Sequence, residues 1–338
     1  MKKLKTILSA LVMGVVAISL TGCQNEEETY AFGKGISFKG TSESHSTRAA
    51  YTGAATSGAI NWNNGDKIRI YCAQSNKPAS HYSDYTITGT LATGSITNEG
   101  KTDSLCWGNN VAHTFYAVYP SPISSWVTKI VGKTVTGTVQ ADQNGDGRFS
   151  DGMVMVAKNV VPVPSAFDKS AVFLNFQPIT TAITFTIKNG QSVDMTVEYV
   201  QLVSKDHPIS GEFSWNIGEA EGKVQDGSIT DAEKKVTITP SSTVTLQAIG
   251  ANDYTFTFFL RPDEDLDDLS IVVKPQGGEA YTSKLQTETG PFTFTQGTKT
   301  VIGGVVLEKT LTLMSITPGG GLSLDLRGDG NVEEEILF

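Results

Sequence analysis

The residue with the most readily assigned chemistry is Cys23, at the end of a short apolar leader. Lysines at the start of the chain are followed by an apolar run over residues 7–20 and then by Leu20-Thr21-Gly22-Cys23. This order is typical of a bacterial lipobox, in which a signal peptidase cuts before the cysteine and the thiol carries a diacylglycerol. We therefore expect residues 1–22 to be a lipoprotein signal peptide and Cys23 to hold the exported chain at a bilayer.

Two further cysteines, Cys72 and Cys106, remain for other chemistry. An exported chain enters an oxidising compartment, where a disulfide between them would persist. Both cysteines fall in apparent strands, but their spacing does not show that their Cα atoms approach within about 7 Å. Either they pair, or they are two small apolar residues buried on separate strands.

One acidic segment, residues 142–151, has the spacing of a calcium loop. Its oxygen-bearing side chains alternate with others and a glycine stands sixth, as a sharp metal-binding turn requires. The candidate ligands are Asp142, Asn144, Asp146 and Asp151. The twelfth position is Met153, where a helix-loop-helix calcium site has glutamate, so a plain Asp/Asn/Gly turn between strands is the alternative.

The sequence carries no motif for catalysis or for a cofactor. The four histidines, at 45, 81, 113 and 207, lack the HExxH spacing, and no C-x-x-C pair, G-x-S-x-G elbow, P-loop or dinucleotide glycine fingerprint occurs. The formal net charge of -9 and the absence of a basic stripe argue against nucleic acid as a partner. We expect a protein that is not an enzyme and that has no cofactor.

The elements that must position these residues are strands. Apolar residues make up 39% of the chain, charged residues 18%, and 34 glycines punctuate short alternating segments rich in Thr and Ser. No helical period lies between them to serve as a crossover, so the pattern predicts an all-β fold of sandwich type. The predicted strands are 68–72, 115–119, 183–188, 197–203, 236–239, 244–248, 254–260, 269–273, 292–295 and 299–302. Asn189-Gly190 is predicted to make the turn between the strands 183–188 and 197–203.

A boundary between two domains is predicted at Val160-Val161-Pro162-Val163-Pro164-Ser165. Two prolines two residues apart favour an extended linker and do not belong in a central strand. The length of the chain suits two domains of middling size. The predicted domains are an N-terminal β-sandwich, 49–165, and a C-terminal β-sandwich with a tail, 166–338.

Several segments, in order along the chain, resemble those of the fimbrillin family of Bacteroidetes surface lipoproteins. After the lipobox, they are Ser46-Thr47-Arg48-Ala49-Ala50, Trp62-Asn63-Asn64-Gly65-Asp66-Lys67-Ile68, Thr114-Phe115-Tyr116-Ala117-Val118-Tyr119-Pro120, Leu174-Asn175-Phe176 onward to Ile187, and Phe294-Thr295-Gln296-Gly297-Thr298-Lys299. Each segment is short and degenerate, but together they extend over most of the chain.

The resemblance implies two tandem transthyretin-like Greek-key β-sandwich domains and a lipid anchor at the cell outer membrane, on the surface. It also implies that a trypsin-like protease cuts between Arg48 and Ala49 and removes the lipidated leader, 23–48, with its first strand. A strand from another copy or a related fimbrial subunit would then fill the gap by donor-strand exchange and build a fimbrium. A host or bacterial adhesion ligand is the further partner that the family implies.

The donor strand is expected after Leu307. Leu311, Leu313 and the alternation Leu322-Ser323-Leu324-Asp325-Leu326 could fill such a gap, or they are the closing strands of the second domain. The next residues, Arg327-Gly328-Asp329, spell a tripeptide that integrins bind, but so short a match arises readily by chance and we expect a charged turn before Asn331 instead.

Two other functions are compatible with the same features. An anchored surface lipoprotein that binds glycans would keep Arg48 uncut, and exposed tryptophans such as Trp126 or Trp215 would mark its sugar site, although Trp is more often buried. A calcium-dependent adhesin would require the loop that begins at Asp142 to bind the ion.

Overall fold

The computed structural model of the chain describes most of the sequence after residue 31. The described residues are 32–42, 62, 64–88, 93–97, 104–122, 126–144, 152–162, 171–218, 230–262, 266–287, 290–291, 293–294, 297–307 and 311–318. Cys23, Arg48, Ala49, Asp146, Asp151 and the tail segment 322–329 lie outside these residues, so the expectations stated for them stay predictions.

Nearly all regular structure in this part of the chain is extended. The strands of the first half are β1 Phe38–Ser42, β2 Lys67–Tyr71, β3 Tyr82–Thr88, β4 Thr93–Thr97, β5 His113–Tyr119, β6 Val127–Val131, β7 Thr134–Val139, β8 Asp142–Asn144, β9 Met155–Val161 and β10 Val172–Pro178. Those of the second half are β11 Thr181–Asn189, β12 Met195–Ser204, β13 Gly211–Asn216, β14 Lys235–Thr239, β15 Val244–Leu246, β16 Asp253–Leu260, β17 Leu269–Pro275, β18 Tyr281–Lys284, β19 Gln286–Thr287, β20 Gly290–Pro291, β21 Lys299–Leu307 and β22 Leu311–Pro318. The all-β prediction is confirmed.

Helical structure is nearly absent from the described part of the chain. It consists there of one 3-10 turn, Ala248–Gly250. None of the described residues belongs to a helix that is both long enough and apolar enough to cross a membrane.

The strands form where apolar side chains recur at every second residue. In β2, Ile68 and Ile70 are fully buried while Arg69 between them faces partly to solvent. Successive side chains of a strand point to opposite faces, so this period places one face on a core. In β11 the first five residues are all buried, because that strand lies between two neighbours inside the second unit.

The first unit is a closed barrel in the order β1-β10-β9-β5-β2-β3-β4, with β4 pairing back onto β1. Its core is aromatic at the centre. The Trp62 ring lies 5.4 Å from that of Tyr119 and 5.2 Å from that of Phe176, both edge to face. Edge-to-face pairs of this kind add about 0.5–1.5 kcal/mol each beyond the area that they bury.

The second unit is built from two larger sheets. One has the order β16-β11-β21-β22, and the other runs β18-β17-β12-β14-β8 with β15 also paired to β12. Their buried side chains form a separate apolar core, in which the Phe185 and Phe258 rings meet edge to face at 5.8 Å.

Strands are exchanged between the two halves of the sequence. The second-half strand β13 pairs with β7 along its whole length, in a three-stranded sheet with β6. The side chains of Phe213, Trp215 and Ile217 accordingly belong to the core of the first unit. In return, the first-half strand β8 pairs in parallel with β14 of the second unit. The halves are therefore interleaved.

The side chain of Gln143 on β8 forms hydrogen bonds with β16 at this junction. The amide of Gln143 accepts a hydrogen bond from the backbone N–H of Phe259 at 3.0 Å and donates one to the Phe259 carbonyl at 2.7 Å. The amide thus makes with β16 the pair of hydrogen bonds that a neighbouring strand would make. Space there is tight, because a Cβ at Gly152 would lie 2.2 Å from the Phe259 ring.

The segment 160–165, where the domain boundary is predicted, includes the end of β9. The strands on either side of it, β9 and β10, pair with each other within the barrel. The apolar core changes instead between Ala182 and Ile183, at the start of β11. Pro162 directly follows the end of β9. The two tandem Greek-key sandwiches, 49–165 and 166–338, stay a prediction.

Two of the predicted strand details also change. The Asn189-Gly190 turn does not form a hairpin, because β11 and β12 lie in different sheets; the Asn189 side chain instead donates to the carbonyls of Val193 and Leu246. The strand predicted at 292–295 is represented, among the residues described there, by a single bridge between Phe294 and Leu266.

Candidate assembly site

The strand that precedes Arg48 in the sequence, β1, is held between two neighbours of the barrel. It runs parallel to β10, where Phe38 pairs with Val172, and antiparallel to β4, where Phe38 pairs with Ile96. We call the slot between β4 and β10 that Ile36 to Gly40 occupy the β1 site. Both of its walls are backbone edges that β1 satisfies with hydrogen bonds.

The backbone just before β1 is bonded as well. The Ile36 N–H donates to the Leu105 carbonyl at 3.0 Å, and the Gly33 N–H donates to the Trp107 carbonyl at 2.8 Å. The Trp107 N–H in turn donates to the Lys34 carbonyl at 2.9 Å. The leader is therefore bonded to the barrel from residue 33 through β1.

Alternate side chains of the β1 site point into the barrel. Ile36 is 6% exposed and Phe38 is 2% exposed. The Phe38 ring meets those of Tyr85 and Phe115 edge to face at 5.2 and 5.4 Å. Burying two side chains of this size stabilises the barrel by roughly 3–6 kcal/mol, at about 1.5–3 kcal/mol each.

The third inward position of the β1 site is a glycine packed closely against isoleucine side chains. Gly40 lies opposite Gly94 of β4, and a Cβ built on Gly40 would stand 3.3 Å from Cδ1 of Ile96 and 3.7 Å from Cδ1 of Ile87. A side chain at this position would require the end of the Ile96 side chain to move by a few tenths of an ångström.

The outward face of the β1 site carries a cation beside an exposed ring. Nζ of Lys39 lies 5.7 Å from the centre of the Phe173 ring on β10, within the range of a cation–π contact. Phe173 is 51% exposed, which is high for an aromatic side chain. This face therefore favours a basic residue at position 39.

The segment that binds the start of the leader depends on a neutral histidine. The Trp107 ring packs on those of His113 and Phe115, at 5.0 and 5.8 Å. Nε2 of His113 accepts from the Gly108 N–H at 3.0 Å, and Nδ1 donates to the Val111 carbonyl at 2.8 Å. An accepting Nε2 carries no proton. Burial lowers the pKa of His113, which keeps this arrangement neutral.

Cys72 and Cys106 lie near the same segment and are both free thiols. The Ser75 hydroxyl donates to the Cys106 carbonyl and accepts from the Cys106 N–H, and the Ser75 N–H donates to the Cys72 carbonyl. Cys106 stands between the buried Leu105 and Trp107, so its side chain points away from the barrel interior, where Cys72 is buried. The disulfide that the sequence allowed is therefore not formed here.

Burial also makes the Cys72 thiol unreactive. Removal from water raises the pKa of Cys72 to about 11, although hydrogen bonds from the Gln74 and Ser75 backbone oppose the shift. Burial likewise raises the pKa of the Tyr85 hydroxyl, which accepts a hydrogen bond from the Leu105 N–H at 2.9 Å. Neither group is prepared for nucleophilic chemistry.

The candidate calcium ligands that the structure describes lie on a strand. Asp142 and Asn144 are the ends of β8, where they pair with Thr237 and Thr239 of β14. Asp146 and Asp151 are outside the described residues. Within the described part of the chain, no group of three or more His, Cys, Asp or Glu side chains is placed to hold a metal ion.

One partly buried charge network in the barrel has a structural role. Arg69 binds both oxygens of Asp84 through Nε and a terminal nitrogen, at 2.8 and 2.7 Å, and the Ser121 hydroxyl donates to the same carboxylate at 2.6 Å. The guanidinium also lies 4.3 Å from the centre of the Tyr82 ring. The Ser121 hydroxyl is thus bonded to a carboxylate that is already ion-paired.

Sequence reasoning placed the first strand in the leader but missed the residues that matter. Ile36, Phe38 and Gly40 were not among the predicted site residues. The signal was present as an apolar alternation that ends in glycine, but it spans only five residues. The tail residues Leu311 and Leu313 belong to β22, which pairs with β21 as a closing strand.

The overall arrangement is similar to that of two solved structures of candidate cell adhesion proteins from Bacteroides. A candidate cell adhesion protein of Bacteroides ovatus matches with a TM-score of 0.54 at 18% identity, over 88% of this chain and 99% of that one. A second, from Bacteroides uniformis, matches with a TM-score of 0.50 at 15% identity, over 85% of this chain and 98% of that one. At these identities the likeness establishes the fold. No curated protein sequence matched the chain.

The sequence model of the fimbrillin-like family matches residues 47–317. The chain belongs to the fimbrillin-like family. Membership supports a surface adhesion subunit that assembles with other fimbrial subunits at the cell surface.

Proposed function

We propose that the chain is a structural subunit of a cell-surface fimbrium, assembled by donor-strand exchange after cleavage between Arg48 and Ala49. The observation that carries the proposal is the position of β1. It precedes Arg48 in the sequence, and it lies between β4 and β10 in the barrel. A cut at Arg48 would separate the strand covalently from every other strand of the barrel.

Loss of β1 would create a binding site of defined chemistry. The edges of β4 and β10 would lose their hydrogen-bond partners, and the pockets of Ile36 and Phe38 would open to water. Unpaired edges and apolar pockets together favour the addition of another strand. Because the donor and the acceptor are different surfaces, the contact runs head to tail and builds a filament.

The same cut would release the subunit from the membrane. Cys23 precedes Arg48, so a lipid on that cysteine would leave with the leader. Before cleavage the protein would be lipid-anchored and surface-exposed at the outer membrane. After cleavage it would be part of the fimbrium, where it supports adhesion.

The alternative of an anchored glycan-binding lipoprotein has less support. All four tryptophans of the chain are buried, with at most 7% of each exposed: Trp62, Trp107, Trp126 and Trp215. A sugar-stacking platform needs an exposed ring face. The tryptophans that the sequence offered for a sugar site lie in the core of the first unit.

The test uses residues 24–338 made without lipid and treated with an Arg-specific protease. Mapping of the new N-terminus by mass and SDS gels of unheated samples are the two readouts. We expect a terminus at Ala49 and a heat-sensitive ladder of multimers, and neither in the Arg48→Ala variant. A protein that is cut at Arg48 and stays monomeric would contradict the proposal.

A further inference from the structure

The first residues of the leader are held by a short segment, 104–108, which we call the leader-binding segment. Three backbone hydrogen bonds join it to residues 33–36, and Gly35 forms an antiparallel bridge with Cys106. On its other side, the Cys106 N–H donates to the Lys77 carbonyl at 3.2 Å. The start of the leader is therefore the outer row of a small ladder whose middle row is the leader-binding segment.

The position of the leader-binding segment depends on His113, whose side chain is fully buried. The Val111 carbonyl can only accept a hydrogen bond, so Nδ1 of the ring carries a proton. The Gly108 N–H can only donate, so Nε2 carries none. Gly108 directly follows Trp107, whose backbone makes two of the three hydrogen bonds to the leader. The neutral histidine therefore fixes the segment where it binds the leader.

A second proton on His113 would reverse the hydrogen bond at Nε2. A protonated Nε2 can only donate, so two donors would face each other across the 3.0 Å that now separates Nε2 from the Gly108 nitrogen. The Gln74 carbonyl would accept from the charged ring, because it favours the protonated form as the Val111 carbonyl does. Space there is tight, since a Cβ built on Gly108 would overlap the Gln74 carbonyl oxygen. A buried N–H without an acceptor is unfavourable, so the Gly108 backbone would move.

We propose that protonation of His113 shifts the leader-binding segment and releases the first residues of the leader, so that β1 is exchanged more readily as the pH falls. The effect is reciprocal, because a bound leader keeps the ring neutral and a proton on the ring weakens leader binding. It begins below about pH 6.5, where a histidine exposed to water is half protonated. The inference rests on the proposed function, because β1 is the strand that is exchanged after the cut.

The groups around His113 leave the histidine as the group that titrates in this range. Those on the neighbouring elements are Cys72, Tyr85, Cys106, Lys34 and Lys77. Burial raises the pKa of Cys72 to about 11 and also raises the pKa of Tyr85, so both stay neutral. Lys34 and Lys77 are exposed cations that water screens. Among the described residues, no carboxylate contributes to the lowering of the His113 pKa, which burial dominates.

Hydrogen exchange of the uncut protein, residues 24–338 made without lipid, measures the release. Protection of the amides in residues 33–36 is compared with that of β11 at about pH 7.5 and about pH 5.5, after correction for the intrinsic effect of pH on exchange. We expect protection of the leader amides to fall about fivefold, because one proton bound near pH 6.5 changes an equilibrium by at most about tenfold over one pH unit. Protection of β11 should not change.

His113→Gln is the test variant, and His207→Gln is its matched control. Glutamine offers the Gly108 N–H an uncharged acceptor, so the leader amides should stay protected at both pH values. His207 is an exposed histidine of the second unit, where it lies 3.5 Å from Asp267. The His207→Gln protein should therefore lose leader protection at low pH as the parent does.

Two results would overturn the proposal. An equal loss of protection in β11 and in the leader of the parent would show general unfolding by acid, and this comparison does not depend on whether a variant folds. A His113→Gln protein that keeps the full pH effect would show that another group titrates.

A measurement after cleavage separates this inference from the proposed function. Once Arg48 is cut, the peptide 24–48 should leave the remainder about fivefold more readily at about pH 5.5 than at about pH 7.5, as followed by size-exclusion chromatography. Release that does not depend on pH would contradict the inference and leave donor-strand exchange standing. Release that depends on pH, from a protein that never forms multimers, would support the role of His113 and contradict the proposed function.

Discussion

Replacing Gln143 with leucine tests the junction between the two halves at its smallest element. The side chain is buried and makes both hydrogen bonds to the backbone of Phe259. Leucine has a similar length, fills the same space and removes both partners. The Phe259 N–H and carbonyl would then be left unsatisfied on the edge of β16.

The expected loss follows from those two groups. A buried backbone group without a partner costs about 1–3 kcal/mol, so two cost about 2–6 kcal/mol. The additional apolar surface of leucine returns about 1 kcal/mol. We expect Gln143→Leu to lower the free energy of unfolding by about 3 kcal/mol.

Urea unfolding of the uncut protein, followed by tryptophan fluorescence, is the measurement. Gln276→Leu is the matched control, because Gln276 is exposed and such changes stay within about 0.5 kcal/mol. If the two variants have the same free energy of unfolding, the hydrogen bonds of the Gln143 amide do not stabilise the junction.

A charged variant at the same place adds a pH dependence with a definite sign. An ionised Gln143→Glu side chain has no proton to donate to the Phe259 carbonyl, whereas the protonated acid has one. Burial and the facing carbonyl raise its pKa in the folded state above the unfolded value of about 4.3, so the folded state binds more protons between the two values. The deficit relative to wild type should shrink as pH falls toward 4.3, and a constant deficit would refute the assignment.

Three other predictions concern the β1 site and its surroundings. Phe38→Ala should lower the free energy of unfolding of the uncut protein, measured in urea, by about 3–5 kcal/mol, because the Phe38 ring is buried. Lys39→Ala should lower it by under about 1 kcal/mol, because Lys39 is exposed, and equal losses would refute the buried position of Phe38. Because burial lowers the pKa of His113, the unfolded state binds the extra proton, so stability should be full above about pH 6.5 and fall as pH drops below it, and His113→Gln should flatten that slope in thermal melts. Iodoacetamide at pH 8 should modify Cys72 more slowly than Cys106, since the first thiol is buried with its pKa raised to about 11, and peptide mapping that finds the reverse order would contradict this.

The strands of the second half were predictable because their core positions alternate over many residues. Ile183, Phe185 and Ile187 recur at a spacing of two, and β11 contains all three with their side chains buried. Most strands of the second unit follow the same rule, so their existence could be read locally. Their pairing could not, and Asn189-Gly190 therefore suggested a hairpin where the chain passes between sheets.

The exchange of strands between the halves left no local signal. Phe213 and Trp215 alternate as in any strand, but nothing in those residues specifies β7 as the partner. The acidic residues from Asp142 carry oxygen atoms at ligand spacing, yet the backbone there pairs with β14. Pairing over such separations is decided by the whole fold, so the local sequence does not specify which strands become neighbours.

The β1 site lay within the predicted leader, which is why its residues were overlooked. Because a leader is expected to be removed, the sequence gives no reason to predict a structural role for its apolar residues. Ile36 and Phe38 show that the leader also completes the barrel. The barrel therefore includes a strand, β1, that the proposed cleavage at Arg48 would later remove.

The pairing of β13 with β7 also determines when the protein can fold during its export. Residues near Val135 must wait for residues near Trp215 before the three-stranded sheet is complete. Contacts between distant parts of a chain slow folding, and a chain that passes through a membrane from its N-terminus presents its second half last. The first unit therefore stays incomplete while translocation proceeds. The polypeptide remains unfolded enough to be translocated until most of it has crossed the membrane.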